Sequence, residues 1–589
     1  MKKFLAVLIA VVMVGSIISY SLLGVELFSD DGDVEILRVY NWEEYISESD
    51  ENKISWGDYI SGEYELVEDD EYIDVIYLFE SYCKEVLGKN VKVEYSTFGT
   101  NENMYNELNL SKKTVGDKVT YSYDLVCPSE YMLLKMLRED MLEPLDDSIL
   151  TNYSSNVSSY IGDLFKKQIV ERDGVGYSLY DYATCYMWGT MGYVYNPEKV
   201  DPEDAKHWSL LWDDRYVGQG TIKDSVRDSY ILALGYCFEE ELQGYKALYD
   251  RGELSREEYN KLLTSLYNRT DGEAVSKAGK ALTDLKDRIY GYEVDSGKKE
   301  MAQGKISINF AWSGDAVYTM DVAEEDGTLL SYAIPEEGSN IFFDGWAMPK
   351  GANKALAQEF INFMSRTDIG QMNMGYIGYT SALAGEEMFA NAVDWYGTYV
   401  LIEADAEDEG TVLVDDKYYY EEYFGDLDEA TAASLLSPSG DGTYDLIYPE
   451  YDEDYNVVGA SKEEGVELYF MDLSYFFNTV DKGSDLYDKE SFILVTDEYG
   501  RQAFTQYPTE DMVARCTVMK CFTDEEIRVL NDMWETAKIG NVNFKSLIIT
   551  IAVILAVILV AVAIVILYKK DVIKRVSNHK NWKLIEKGK

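Results

Sequence analysis

Histidine is almost absent from this chain, which has only two in 589 residues, His207 and His579. Ser-His-Asp and Cys-His catalysis each place a histidine beside the nucleophile, so the shortage argues against both. It also disfavours a zinc site, since no C-x-x-C pair is present to supply further ligands. We therefore predict no catalytic residue, no metal site and no cofactor.

Cysteine is also scarce, and its six copies are scattered along the chain. This scatter does not resemble the disulfide framework of a small secreted domain. We expect buried free thiols, and a bridge between the last two cysteines is the alternative that the spacing leaves open. The six positions are Cys83, Cys127, Cys185, Cys237, Cys516 and Cys521.

Positive charge is in short supply as well, because 53 Lys and Arg face 107 Asp and Glu, a formal net charge of -54. Nucleic acids bind to basic faces, so we predict no nucleic-acid partner. A strongly negative field attracts small cations instead. The 47% hydrophobic content is enough to build cores, so the charge does not indicate disorder, and the length suits two or three globular units.

Two long uncharged runs lie near the ends of the sequence. Residues 4–23 follow two lysines and are predicted to be a signal anchor or a signal peptide. Residues 546–568 are long enough to cross a bilayer, so we predict a transmembrane helix followed by a basic cytoplasmic tail at 569–589. The positive-inside rule places the region between the runs outside the cytoplasm, at the cell membrane.

The stretch from Ile36 to Tyr45 combines a strand pattern with cation-binding side chains. Its first five residues are apolar and β-branched enough to form a buried strand. Trp42 and Tyr45 then offer ring faces, and Glu43 and Glu44 offer carboxylates. An ammonium gains roughly 0.5 to 2 kcal/mol over an indole ring, and about 4 kcal/mol of Coulomb energy beside a carboxylate at an effective dielectric near 20. The cluster therefore suits an organic polycation, and a surface aromatic pair in an acidic protein is the alternative.

Strand and helix patterns alternate along the next hundred residues. Strands are predicted at 91–95 and 123–127 and helices at 77–87, 100–110 and from 129 onward, whereas the acid-rich range 48–74 is predicted to be a surface loop. Such alternation is typical of an α/β layer with a parallel sheet. Ligands bind beyond the carboxyl ends of such strands, so we expect Ser129 and Tyr131 beside Trp42. A plain helix cap is the alternative for Ser129, and a core position is the alternative for Tyr131.

Two later strands are predicted to lie at the centre of the molecule. The Gly-spaced apolar passage 187–196 suits a strand that crosses between lobes, and the range 341–349 is an aromatic strand with Asp344 in its middle. A carboxylate inside an apolar strand is costly unless it is paired or faces a cleft. Asp344 is therefore a candidate cleft residue, with a buried structural partner as the alternative.

Eight short motifs occur in an order that resembles one known family. They are Val39–Tyr45, Asn101–Tyr105, Tyr123–Ser129, Trp188–Thr190, Trp208–Gly220, Phe310–Gly314, Phe343–Pro349 and Ile377–Tyr379. Together they make the chain similar to the extracytoplasmic spermidine/putrescine-binding proteins of polyamine ABC transporters. The resemblance implies a type II periplasmic-binding-protein fold, in which two α/β lobes joined by crossing strands close on the ligand.

The resemblance also implies where a polyamine would bind, with Asp344 holding an internal amine. The chain departs from the usual family pattern at Glu43, where a hydroxyl is common, at Phe342, where Trp is common, and at Ser225, where an acid is frequent. These departures leave the preferred ligand length open. The predicted ligand-binding set is Trp42, Glu43, Glu44, Tyr45, Ser129, Tyr131, Ser225, Asp228, Trp312, Phe342, Asp344 and Tyr379.

The domain and function predictions follow from this resemblance. Residues 36–187 and 342–393 would form lobe 1, residues 188–341 and 501–540 lobe 2, and the acidic, Tyr-rich range 394–500 an insertion. We predict a non-enzymatic, membrane-anchored extracytoplasmic receptor that delivers polyamines to the permease subunits of an ABC transporter. The alternatives are a receptor of the same fold for another cation or a sugar, and a surface hydrolase with Glu43 and Glu44 as paired carboxylates.

Overall fold

A computed structural model describes residues 34–67, 72–397, 399–400, 413–414, 444–451, 457–477 and 492–539. The predicted membrane segments at 4–23 and 546–568 and the predicted tail at 569–589 lie outside these ranges. Within the ranges, no helix combines the length and the apolar character that a membrane span requires.

The strands are numbered β1 to β21 in chain order. They are Glu35–Trp42, Val91–Phe98, Lys113–Val115, Lys118–Thr120, Leu125–Val126, Ile169–Arg172, Val175–Ser178, Ala183–Tyr195, Gly220–Lys223, Gly291–Glu293, Ile308–Trp312, Ser331–Ala333, Ser339–Ala347, Thr380–Ser381, Tyr399–Val400, Leu413–Val414, Tyr444–Tyr451, Val457–Val466, Leu468–Asp472, Phe492–Thr496 and Cys516–Thr517.

The helices follow the strands closely in the chain. The α-helices are Trp56–Ser61, Val75–Glu85, Asn101–Leu110, Glu130–Arg138, Thr151–Asn156, Ser159–Lys167, Pro202–Ala205, Val226–Cys237, Glu239–Asp250, Arg256–Tyr267, Gly272–Leu285, Ser296–Ala302, Ser313–Glu325, Lys354–Met364, Thr367–Ile377, Glu386–Tyr396, Asp497–Gln506, Glu510–Ala514 and Asp524–Ile539. Short 3-10 turns occupy Leu179–Asp181, Trp208–Trp212 and Asp214–Tyr216. The early strands and helices expected from the alternating pattern are confirmed.

One large sheet runs through the molecule in the order β10-β9-β11-β8-β13-β5-β1-β2. At one end β1 pairs in parallel with β2 and β5, and at the other β9 pairs in parallel with β10 and β11. The antiparallel strands β8 and β13 lie between these two parallel groups. The strand order therefore divides the sheet into two α/β halves joined at its centre.

β8 is the strand that joins the two halves. Its residues 183–190 pair with β13, and its residues 191–195 pair with β11. Each of its 13 residues is buried. A strand that is covered on both faces shows a continuous apolar run instead of alternation, which is the pattern of 187–196. The predicted crossing strand is confirmed, and it begins earlier than expected, at Ala183.

A bulge interrupts the pairing of β8 with β13 between Asp344 and Gly345. Asp344 lies opposite Met187, whereas Gly345 lies opposite Cys185. Asp344 also forms an isolated antiparallel bridge with Ser129, just beyond the end of β5. Bulges re-aim a side chain relative to the regular ladder, and this one places the Asp344 carboxylate beside the start of the helix that follows β5.

The range 48–74 is not a loop throughout, so that prediction is wrong in part. It contains the helix Trp56–Ser61, whose cap Ser55 accepts a hydrogen bond from the Asp58 N–H at 3.2 Å. The Trp56 ring packs against Phe363 with 5.8 Å between ring centroids. A helix of six residues is too short to show a period, and its packing partner lies 300 residues further along the chain.

The cysteines are free, four of them buried and two half-buried. The thiol of Cys516 donates to the Met512 carbonyl at 3.4 Å, and that of Cys521 donates to the Phe522 carbonyl at 3.6 Å. The expectation of free thiols is confirmed, and the alternative of a Cys516–Cys521 bridge is wrong.

Described parts of the range 394–500 pack on the body of the protein. Phe476 is buried and stacks on Trp188, in the crossing strand, at a centroid distance of 5.3 Å. Phe477 is buried too and packs against Tyr507 at 5.1 Å. This end of the range is therefore part of the core, and the lobe and insertion boundaries remain predictions.

Candidate functional site

A cleft of about 410 Å³ lies where the carboxyl ends of the parallel strands converge. β1 ends at Trp42, β9 at Lys223, β10 at Glu293 and β11 at Trp312, and each of these residues lines the cleft. Both halves of the sheet thus contribute to it. This is the position at which open α/β sheets bind ligands.

The structure brings together every residue of the predicted ligand-binding set, since all twelve line this cleft. Whether each one contacts a ligand remains a prediction. The charged lining residues outside that set are Glu102, Glu130, Lys223, Asp224, Glu293, Asp295, Lys298, Asp315 and Lys538.

Asp344 holds its carboxylate with hydroxyl donors. Ser129 donates to Oδ1 and Tyr45 donates to Oδ2, each at 2.7 Å. No cation forms an ion pair with Asp344 in the described ranges, and the residue is only 5% exposed. Burial raises the pKa of Asp344 to about 6, although the two hydroxyl groups lower it, and the nearby charge of Asp228 raises it further.

Ser129 stands at the N-cap position of its helix, but its hydroxyl makes no cap hydrogen bond. The hydroxyl instead donates to Asp344 and accepts from the Asn101 amide at 3.0 Å. Asn101 also accepts a hydrogen bond from the Ser129 N–H and donates to the Tyr131 hydroxyl, both at 3.0 Å. A buried amide from a neighbouring helix therefore orients the serine, and the plain-cap alternative accounts for its position but not for its hydroxyl.

Asp228 is a second buried carboxylate with no ion pair among the residues that the structure describes. Burial raises the pKa of Asp228 to about 6, against the lowering effects of the Ser225 hydroxyl and the Lys223 charge. Glu130 is fully buried behind them, and burial raises its pKa to about 8 even though the Phe343 N–H donates to it at 3.2 Å. Glu130 is thus mostly protonated at neutral pH, whereas Asp228 and Asp344 are mostly charged.

Asp315 differs from these acids because the protein itself supplies cations to it. The ammonium of Lys223 lies 3.0 Å from Oδ2, and that of Lys298 lies 3.9 Å from Oδ1. The Tyr379 hydroxyl donates to Oδ1 at 3.0 Å. Burial raises the pKa of Asp315, but the two lysine charges outweigh burial, so the pKa is lowered overall.

Aromatic rings form the remaining walls. Tyr45 meets Tyr379 edge to face at a centroid distance of 5.0 Å, and Phe342 meets Tyr379 at 6.2 Å. Trp42 packs on Phe98 at 4.6 Å, and its indole N–H has no hydrogen-bond partner among the described residues. These rings give the cleft apolar faces between its carboxylates, which suits a ligand with methylene segments between its charges.

Sequence reasoning missed the lysines of the cleft and Asp315. Lys223 directly precedes the acids Asp224 and Asp228 at a strand-to-helix junction, and Asp315 directly follows the motif Phe310–Gly314. Both positions were visible as charged residues at strand ends. Their mutual pairing was not, because it depends on which strand ends become neighbours in the sheet.

Outside the cleft, His207, Glu239 and Glu337 have their potential ligand atoms within 4.8 Å of one another. His207 Nδ1 lies 2.5 Å from Glu337 Oε1, and Gln243 donates to the same oxygen at 3.1 Å. Burial lowers the pKa of His207, but the Glu337 carboxylate outweighs it, so the pKa is raised. A protonated histidine satisfies this arrangement, and the prediction that the chain has no metal site stays a prediction.

The fold and the cleft define a solute-binding protein, and sequence comparison agrees. The profile of the family of bacterial extracellular solute-binding proteins matches residues 78–395, and the chain belongs to this family. Membership confirms the predicted two-lobed α/β periplasmic-binding-protein fold and a binding protein in place of an enzyme. The alternative of a carboxylate-dependent hydrolase is therefore wrong.

Named relatives extend the comparison. The chain is 30% identical over 318 residues to the spermidine/putrescine-binding periplasmic protein of Escherichia coli (strain K12), covering 54% of this chain and 77% of that one. It is 26% identical over 384 residues to the putrescine-binding periplasmic protein SpuD of Pseudomonas aeruginosa (strain UCBPP-PA14), covering 63% and 82%. Among solved structures, the spermidine/putrescine ABC transporter substrate-binding protein PotD from Streptococcus pneumoniae is 26% identical, with a TM-score of 0.39 and coverage of 59% and 83%. The predicted resemblance to spermidine/putrescine-binding proteins is thereby confirmed.

Proposed function

We propose that this protein is an extracytoplasmic polyamine receptor that hands its ligand to the permease of an ABC transporter. The observation that carries the proposal is the pair of buried carboxylates, Asp228 and Asp344, that line one cleft without a cation of the protein beside them. Buried charges are costly unless they are paired, so the cleft favours a ligand that brings its own positive charges.

Three features support an organic amine over a metal ion or a sugar. The acceptors are separated by aromatic walls, which match the methylene segments of a polyamine and offer nothing to a bare cation. Ring faces at Trp42 and Trp312 suit ammonium groups. A neutral sugar would leave both carboxylates buried and uncompensated. Relatives that are named for spermidine and putrescine binding agree with this assignment.

The placement at the membrane belongs to the same proposal. The relatives are named periplasmic proteins, which supports an extracytoplasmic location for the lobes. The uncharged runs at 4–23 and 546–568 would anchor them, with the basic segment 569–589 inside the cell. Anchoring would keep the receptor close to its permease without a soluble or lipid-linked form.

Calorimetry on the full-length protein tests the proposal directly. We expect micromolar or tighter binding of putrescine or spermidine and none of maltose or ferric iron at pH 7.5. Asp344→Asn should lose at least a hundredfold in amine affinity, because an amide cannot neutralise an ammonium. Asp326→Asn, at an exposed acid that follows a helix, is the matched control and should bind like the wild type. Sugar or iron binding without amine binding would overturn the proposal.

A further inference from the structure

Three lysines project into the cleft that we propose for a polycation. Lys223, Lys298 and Lys538 all line it. A cationic ligand would be repelled by these ammonium groups unless the protein had already neutralised them. The position of each lysine therefore decides which carboxylates remain available to a ligand.

Lys223 is the most deeply placed of the three. It is 1% exposed, and its ammonium lies 3.0 Å from both Glu293 and Asp315 and donates to the Val294 carbonyl at 3.0 Å. The same ammonium lies 4.2 Å from the centroid of the Trp312 ring. It thus occupies the two kinds of partner, a carboxylate and an indole face, that an ammonium of the ligand would use.

Lys298 occupies the next position along the cleft. Its ammonium lies 2.7 Å from Asp295, 3.8 Å from Glu44 and 3.9 Å from Asp315. Burial lowers its pKa, but the surrounding carboxylates outweigh burial and the pKa is raised, so the residue stays charged. Glu44, one of the predicted ligand-binding acids, therefore already has a cation of the protein beside it.

Lys538 closes the third position. Its ammonium lies 2.6 Å from Asp224 and 5.5 Å from the Trp534 ring centroid. Asp224 is the acid adjacent to Ser225, where the related proteins frequently carry a carboxylate. The neighbouring acid cannot replace the missing one, because Lys538 is already paired with it.

Two buried and charged carboxylates are left after this pairing. Asp228 and Asp344 have no ion pair within the described ranges, and Glu130 is mostly neutral because its pKa is about 8. The remaining acids, including Glu43 and Glu102, lie at the exposed or half-exposed rim. The count of unpaired buried charges is therefore two.

We propose that Lys223, Lys298 and Lys538 act as built-in ammonium groups that restrict this cleft to ligands with two ammonium groups, so that diamines bind in preference to triamines. This inference rests on the proposed function. A third ammonium on the ligand would find the carboxylates of Glu293, Asp295 and Asp315 already taken, and it would lie against lysine ammonium groups of like charge. Selectivity thus comes from a repulsive element as well as from the two attractive acids.

The inference is tested by comparing putrescine with spermidine on the full-length protein by calorimetry at pH 7.5. The wild type should bind putrescine at least tenfold more tightly than spermidine. Lys298→Met, at a side chain that is 18% exposed, should narrow that ratio at least tenfold, because the third ammonium can then replace the missing lysine. Lys299→Met, at an exposed lysine on the same helix, is the matched control and should leave the ratio unchanged.

The outcomes separate this inference from the proposed function. Spermidine binding as tight as putrescine binding in the wild type overturns the inference and leaves the polyamine receptor intact. An unchanged ratio in a folded Lys298→Met variant also overturns it, and Lys298→Arg, which keeps the charge, should retain the wild-type ratio. A wild type that binds neither amine overturns the proposed function itself. The wild-type ratio needs no variant, so the inference can be tested even if the methionine variant does not fold.

Discussion

Tyr45 donates a hydrogen bond to Asp344 at 2.7 Å, although the two residues are 299 positions apart in the chain. The contact joins the turn after β1 to the bulge of β13 and fixes one oxygen of a buried carboxylate. Burial raises the pKa of Tyr45 well above its ordinary value, and the Asp344 charge raises it further, so the phenol keeps its proton and remains a donor. The protein thus stabilises the charge of Asp344 with dipoles and leaves the countercharge to the ligand.

Asp344→Asn should make the amine-free protein more stable at pH 7.5. Asp344 has a folded-state pKa of about 6 against an ordinary 3.8, so its charge costs stability above about pH 6, and this cost disappears as the pH falls towards 3.8. The shift corresponds to about 3 kcal/mol at most, of which the weaker hydrogen bonds of an amide would offset about 1 kcal/mol. Guanidinium unfolding should show a higher midpoint for the variant at pH 7.5 and no gain at pH 4. A lower midpoint at pH 7.5 would contradict this account.

Amine binding should weaken as the pH falls from 7 to 5. Asp228 and Asp344 each have a pKa of about 6 and must be ionised to pair with an ammonium, so protons compete with the ligand below that pH. Each acid should cost roughly tenfold in affinity by pH 5, or about a hundredfold together, while the ligand amines stay protonated. Calorimetry at several pH values measures the slope.

The matched variant for that pH profile is Asp228→Asn. It should bind amine more weakly at pH 7, but it should lose only about tenfold between pH 7 and pH 5, because one titrating acid remains. A variant with the full wild-type slope would assign the protonation to another group.

The strands and the main cleft acid were accessible to sequence reasoning because their signals are local. The apolar run at 187–196 reports a strand covered on both faces, and Asp344 stands out as a charge inside an apolar strand. The strand-to-helix junction after β1 likewise identified Trp42 and its neighbours, since ligand sites follow the carboxyl ends of strands.

The pairing of charges in the cleft could not be predicted, because it is a property of sheet order. Lys223 ends β9, and its partners Glu293 and Asp315 lie at the ends of β10 and β11, 70 and 92 positions further along the chain. The parallel pairing of these strands brings the three side chains together. The role of the Ser129 hydroxyl was hidden for the same reason, since its acceptor is 215 positions away.

Removal of either hydroxyl donor to Asp344 should weaken amine binding about tenfold. A hydrogen bond to a charged group contributes about 1.5 to 3 kcal/mol, so Ser129→Ala and Tyr45→Phe each make the ionised carboxylate costlier. Both variants should also move the midpoint of the pH profile upward, which a merely structural role would not do. Ser148→Ala is the matched control, because that exposed serine donates to Asp146 at 2.6 Å far from the cleft. Unchanged affinity in both cleft variants would refute the role of these donors.

Gly314→Ala should weaken amine binding at least tenfold while the protein remains folded. A Cβ at Gly314, at the start of the helix Ser313–Glu325, would lie 2.1 Å from Cδ2 of the Tyr379 ring. That ring cannot easily move, because it packs edge to face on Tyr45 and donates to Asp315 at 3.0 Å. The methyl group must therefore displace Tyr379 from the cleft wall or push the helix away from it.

Gly244→Ala provides the control for the glycine experiment. Gly244 lies in the helix Glu239–Asp250, and a Cβ there would meet no atom within 4 Å, so the change should be neutral or slightly stabilising. Calorimetry with putrescine and the midpoint of thermal unfolding should be measured for both variants. If Gly314→Ala bound putrescine within twofold of the wild type, Tyr379 would not need its observed position, and the contact between the Tyr379 ring and the helix that begins at Ser313 would be packing alone.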